Sequence, residues 1–174
     1  GKVNAATGAT LAIAKYNAEA IINSGTAGAL NGTMRVGDIY AVECAAEYDY
    51  DLRQINGTEM GVIDEFEERW MRLPVAEGYA AKKLATGDRF NDDRADYLML
   101  TDDFKADLRD MEGGAIAHVC AHSKTPLYMF KTVSDIAGSG STTEQYGHNI
   151  ELCYKNLERD ARKIFQAVLN SIRG

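Results

Sequence analysis

Two rhythms of apolar residues alternate along the chain, one near 3.6 residues and one made of short apolar runs. Val3, Ala6, Leu11 and Ala14 lie roughly on one face, predicting a helix from Val3 to Tyr16. Ala20 to Asn23 predicts a short buried strand running into a glycine-punctuated turn, Ser24-Gly25-Thr26-Ala27-Gly28-Ala29. A longer strand is predicted over Val36 to Ala45, introduced by Gly37-Asp38, and further strands over Lys82 to Thr86, Ala106 to Met111 and Leu127 to Val133. Helices are predicted over Asp92 to Asp103 and Ala115 to Ser123. A long final helix should start near Thr142 or Thr143 and run to about Ile172, with Ile150, Cys153, Leu157, Ala161, Ile164 and Val168 at helical spacing. Tyr48 to Pro74 follows neither rhythm, and its acidic Asp64-Glu65-Phe66-Glu67-Glu68 reads as a solvated face or loop.

This alternation predicts an α/β fold, a single three-layer arrangement in which helices flank a mainly parallel or mixed central sheet. With 174 residues and 45% hydrophobic content the chain can fill one full core, so one domain spanning residues 1–174 is expected. The prolines, Pro74 and Pro126, do not divide it.

A net charge of −7 argues against a nucleic-acid surface, which needs clustered Lys and Arg. No apolar run reaches membrane-spanning length. Cys44, Cys120 and Cys153 are widely spaced without a CxxC pair, which reads as reduced thiols in a cytoplasmic protein and gives no metal site.

Chemistry concentrates at predicted strand ends, where α/β folds bind ligands. Glu112 follows one strand and precedes Gly113-Gly114. A carboxylate there can accept two hydrogen bonds, as a vicinal diol would offer, but a helix-start Glu stabilised by the dipole explains it equally well locally. Asp135 follows the apolar run Leu127 to Val133, with Ser134 beside it. Partial burial would raise its pKa and let it donate a proton, while a turn or cap role is the plainer alternative. The Ser24–Ala29 segment could hold an anion or a sugar, but it has neither the Lys-Ser/Thr pair of a phosphate loop nor a GxGxxG pattern.

Taken together, five segments in order carry a resemblance. They are Ser24-Gly25-Thr26-Ala27-Gly28, Val36-Gly37-Asp38, Thr86-Gly87-Asp88-Arg89-Phe90, Asp110-Met111-Glu112-Gly113-Gly114-Ala115-Ile116-Ala117 and Ser134-Asp135-Ile136-Ala137. The chain resembles the nucleoside phosphorylase/nucleosidase superfamily, most closely its methylthioadenosine/S-adenosylhomocysteine nucleosidase branch, over Gly1 to about Asp51 and from Thr86 onward. The resemblance implies a cofactor-free hydrolase that releases adenine from a small nucleoside. It casts Asp135 as the general acid at N7 of the base and Ser134 as its orienting neighbour. Glu112 would grip the ribose hydroxyls with Met111 below the sugar. Phe90 would stack on the purine, and the backbone of Asn91 would read the base edge. Thr26, Ala27 and Gly28 would lie beside the ribose and the attacking water.

Where the hexameric phosphorylases carry a phosphate-binding Arg, this sequence has Asn23, so water is the expected nucleophile. Arg35 and Arg53, the nearby cations, read better as surface residues. The family's water-activating Glu lies on a first strand that this sequence does not include, and neither Glu19 nor Glu43 matches its motif. The resemblance therefore implies an N-terminally incomplete chain. It further implies a homodimer in which the tract from Tyr48 to Leu52 reaches the partner's site, with Leu52 and Ile55 lining a pocket for the 5′ substituent. The alternatives are a phosphate-dependent phosphorylase or futalosine-type hydrolase, and an inactive nucleoside-binding module.

Overall fold

The computed structural model describes residues 1–173. In chain order the elements are α1 (Lys2–Tyr16), β1 (Ile21–Ala29), β2 (Ile39–Glu47), α2 (Arg53–Asn56), β3 (Met71–Arg72) and β4 (Ala81–Thr86). They continue as α3 (Arg94–Leu98), β5 (Leu108–Asp110), α4 (Gly113–Ser123), β6 (Leu127–Ile136) and α5 (Thr142–Arg173). The six strands run in the order β3-β2-β4-β5-β1-β6, and β2 also pairs with β6, so the sheet curls until its two sides meet. It is mixed. β1 and β6 are parallel to each other, β2, β4 and β5 share the opposite direction, and β3 is antiparallel to β2.

β6 is the spine of this arrangement. Leu127 to Asp135 are all buried, because β6 bonds β1 along its whole length and β2 on its other side. α5 covers one face, with Ile164 and Val168 packed against Tyr128 and Phe130. α4 covers another face, where Ile116, Ala117 and Cys120 join Leu84, Leu108, Leu127 and Met129. Its first turn comes very close to the sheet: a Cβ on Gly113 would sit 2.4 Å from Leu84 Cδ2. Only glycine lets the helix start there.

The expected α/β fold with flanking helices is present, and several boundaries differ from the sequence reading: β2 starts at Ile39 instead of Val36, and β5 keeps only Leu108–Asp110 of the strand expected over Ala106 to Met111. Ser24 to Ala29 is not a turn. It completes β1, paired residue by residue with β6, with a register shift at Ala27/Gly28. Ser134 and Asp135 belong to β6 rather than following it. The segment from Asp92 to Asp103 divides into α3, capped by Asp93, and a wide helical turn over Met99–Asp103. The region from Tyr48 to Pro74, which showed no rhythm, contains only the single turn of α2 and the two residues of β3.

Candidate active site

A cavity of about 300 Å³ opens where β1, β5 and β6 end. β1 contributes Thr26, Ala27 and Gly28, and β6 contributes Ser134 and Asp135. The run from β5 into α4 adds Arg109, Asp110, Met111 and Glu112, the loop after β4 adds Arg89 and Phe90, and α5 adds Tyr146. The fold thus brings together eight of the nine residues singled out for substrate contact or catalysis.

Asp135 is the most constrained of them. It is 2% exposed, and its Oδ1 accepts the Ser134 hydroxyl at 2.7 Å. Its Oδ2 is buried with no hydrogen-bond partner. α5 fixes the backbone on both sides: Asn149 donates to the Ser134 carbonyl at 2.9 Å, and the Gln145 amide accepts from Ile136 N–H at 3.0 Å while donating to its carbonyl at 3.2 Å. Burial pushes the Asp135 carboxyl above the usual carboxylate range, and the Ser134 hydrogen bond and the Arg109 charge oppose that rise. A buried carboxyl with one unpartnered oxygen, on a residue that lines a cavity, has the chemistry to donate a proton there.

Opposite it, a buried polar network sets the start of α4. Asp110 Oδ2 accepts from Gly113 N–H and from Lys131 Nζ, both at 2.8 Å, and its Oδ1 accepts the Thr86 hydroxyl at 2.5 Å. Thr86 Oγ1 in turn accepts from Gly114 N–H at 2.7 Å. These bonds satisfy two helix-end amides and fix the chain on either side of Met111 and Glu112. Glu112 is the N-cap residue of α4, with its side chain 43% exposed and its Oε1 accepting from the Gly1 amine at 2.5 Å. Its partial exposure leaves it within reach of an incoming polar group.

The third wall is aromatic. Phe90 and Tyr146 meet edge to face with centroids 5.6 Å apart. Arg89 donates to Asp96 at 2.9 Å, Asn91 donates to the same carboxylate at 2.9 Å, and Asp93 caps α3 through the amides of Ala95 and Asp96. The Asn91 side chain is therefore turned into its own loop and lies outside the cavity lining. Leu52 and Ile55 also lie outside it, and Ile55 is 81% exposed.

Sequence reasoning missed Arg89, Arg109, Asp110 and Tyr146 as cavity residues. Tyr146 was within reach, since with Ile150 and Cys153 it continues the stripe that α5 turns toward β6. A larger cleft of about 580 Å³ between α1 and α4 has mostly apolar walls, and its Glu47 and His118 are already paired with each other. Burial holds the Cys44 and Cys120 thiols up at about 11, so neither is a ready nucleophile. Among the described residues no group of three His, Cys, Asp or Glu is arranged to hold a metal ion, and no helix is long and apolar enough to cross a membrane.

A curled α/β sheet whose strand ends enclose an acid, a reachable carboxylate and an aromatic pair has the form of a small-molecule site. The chain belongs to the phosphorylase superfamily, whose family model matches residues 1–170. It is 32% identical over 149 residues to an aminodeoxyfutalosine nucleosidase of Campylobacter jejuni, covering 79% of this chain and 65% of the relative. It is 32% identical over 185 residues to the 5′-methylthioadenosine/S-adenosylhomocysteine nucleosidase of Bacillus subtilis, covering 91% of this chain and 78% of that one. The fold matches the nucleosidase of the same name from Colwellia psychrerythraea, solved in complex with adenine, with a TM-score of 0.85 at 23% identity over 96% of this chain and 74% of that one. The chain thus spans just under two thirds of the length of the Campylobacter relative.

Proposed function

We propose that this protein hydrolyses the N-glycosidic bond of methylthioadenosine or S-adenosylhomocysteine and releases adenine. The observation that carries the reading is the enclosed Asp135 carboxyl with its unpartnered Oδ2. Cleavage builds positive charge on the sugar and negative charge on the base. Asp135 gives its proton to N7 as the bond electrons move onto the base. Glu112 accepts the ribose hydroxyls and opposes the charge growing at C1′. Met111 packs below the sugar, Phe90 stacks on the purine, Ser134 orients Asp135, and Thr26, Ala27 and Gly28 flank the ribose and the attacking water. The backbone of Asn91 reads the base edge, a role its side chain geometry leaves free. Arg35 and Arg53 lie outside the cavity, which Arg89 and Arg109 do line; what supports water over phosphate as nucleophile is Asn23, an uncharged residue with nothing to hold a dianion.

The same reading makes the protein a cytoplasmic homodimer. Leu52 and the exposed Ile55, both outside their own cavity, would close the 5′ end of the partner's. Light scattering at micromolar concentration tests the dimer, and an active monomer would refute the shared pocket. The activity is tested by chromatography of the products. Adenine and a free sugar without added phosphate support it, whereas a sugar phosphate formed only when phosphate is present would assign a phosphorylase instead.

A further inference from the structure

A second group of titratable side chains, outside the cavity at the strand ends, surrounds His118. This residue lies near the middle of α4 with its side chain 31% exposed, and both of its ring nitrogens meet a carboxylate. Nδ1 is 3.2 Å from Glu47 Oε1, and Nε2 is 2.8 Å from Glu65 Oε1. The two acids belong to different parts of the fold. Glu47 ends β2, is nearly enclosed, and also accepts from Lys2 Nζ at 3.0 Å, while Lys2 reaches on to Asp49 at 2.6 Å. Glu65 belongs to the irregular segment between α2 and β3, is half-exposed, and has His118 as its one side-chain partner among the described residues. The same segment lays Phe66 edge to face on the His118 ring, with centroids 5.5 Å apart. The charged and titratable groups that line the cleft around the imidazole are Glu47, Glu65, Lys2 of α1 and His122 one turn further along α4.

A carboxylate can only accept, and a neutral imidazole carries one N–H. It can therefore donate to one of the two acids while its bare nitrogen faces the other. Holding both takes an N–H on each nitrogen, the imidazolium form. The hydrogen bond from His118 is also the main cause that holds the Glu65 carboxyl below its ordinary value. When the ring gives up a proton, Glu47 still has Lys2 and Glu65 has no replacement.

We propose that His118 is a proton-dependent latch, which ties the Glu65–Phe66 segment to α4 when doubly protonated and lets Glu65 go when neutral. Release is local, because Ile63 is buried in the core and Arg69 is held by Glu59 and Asp103. The latch stands apart from the proposed activity. Under that activity it gains a consequence: Asn56 joins α2 to Asp64 at 3.4 Å, which links release to the turn carrying Leu52 and Ile55.

Residue-resolved amide exchange, corrected for the intrinsic pH dependence of exchange, reads the latch at Phe66, whose N–H is bonded to the Ile63 carbonyl at 2.8 Å. Leu30 N–H, bonded to the Asp107 carbonyl at 2.8 Å, is the control. Between about pH 5 and pH 8, protection of Phe66 should fall about tenfold or more in the wild type, while that of Leu30 changes less than about threefold. Glu65→Gln should abolish the fall, because its amide can accept from an N–H or donate to a bare nitrogen. His118→Phe should show the low protection throughout, and His122→Gln should behave as the wild type. Ring nitrogen shifts should show two N–H groups on His118 in the protected state. Should His118→Phe fail to fold, Glu65→Gln decides alone. Four results would overturn the latch: protection of Phe66 that ignores pH in the wild type, a fall that persists in Glu65→Gln, a fall that vanishes in His122→Gln, or a single N–H on His118 in the protected state. A protein that shows the expected pattern yet does not cleave methylthioadenosine would count against the proposed activity alone.

Discussion

Replacing Gly28 by alanine adds one methyl group at the position where the account leaves no room. Its Cβ would stand 2.6 Å from Asp135 Oδ2, 3.2 Å from Cγ and 3.3 Å from Oδ1, closer to Oδ2 by about 0.8 Å than ordinary contact allows. Asp135 cannot readily yield. It is enclosed, its other oxygen is held by Ser134, and the Gln145 and Asn149 side chains pin the strand beside it. Overpacking of this kind costs about 1–3 kcal/mol. For a chain of this length, about 2 kcal/mol lowers Tm by roughly 4–8 °C. A carboxyl displaced by close to 1 Å should also lose roughly 100-fold in kcat/KM. Calorimetry and a continuous assay of adenine release read the two effects. Gly8→Ala is the control: a Cβ there meets nothing within 4 Å, so it should be neutral or stabilise α1 by up to about 1 kcal/mol. A Gly28→Ala protein with wild-type melting and turnover would show that the Asp135 position is not critical.

Glu112→Gln should weaken both nucleoside binding and rate, each by roughly 10- to 100-fold, while free adenine binds as before; equal loss for adenine would remove Glu112 from the sugar site. Lys131→Met strands the buried Asp110 carboxylate and should cost about 3–5 kcal/mol by urea unfolding, with Asp110→Asn in the same chain recovering part of it; an unchanged midpoint would contradict the ion pair's role. Burial raises the Asp135 pKa above its unfolded value, so the folded state holds its proton more tightly and stability falls as pH rises past the ordinary carboxylate range. Asp135→Asn removes that dependence. The stability difference should move in the variant's favour between pH 4 and pH 7, and a pH-independent difference would refute the shift.

The elements with sustained periodicity were legible in the sequence. α5, a helix of 32 residues, carries an apolar stripe from Ile150 to Val168, and the apolar start of β6, Leu127 to Phe130, reads as a buried strand. Ser24 to Ala29 was misread because Ser and Gly ordinarily weaken strands and mark turns. Here their smallness has a different cause: Gly28 makes room for Asp135, and Gly25 lies 3.6 Å, by its added Cβ, from Lys131 Nζ. Such reasons are long-range and invisible to local pattern. Asp135 was singled out, but placed after the strand and not within it. Its enclosure depends on pairing with β1 and on the amides of α5, which lie on other elements. Arg109 gave no signal at all, since nothing local places an arginine of a three-residue strand on a cavity.

The claim that Asp135 supplies the proton to the departing base is tested most directly by changing what the leaving group needs. Adenine leaves poorly without protonation, whereas p-nitrophenolate leaves as a stable anion and needs no acid. Turnover of methylthioadenosine and of the matching p-nitrophenyl 5-methylthioriboside should be measured for the wild type and Asp135→Asn at neutral pH. The account predicts that the variant loses roughly 10²–10⁴-fold on the adenine substrate yet stays within about tenfold on the nitrophenyl one. Equal loss on both substrates would contradict it.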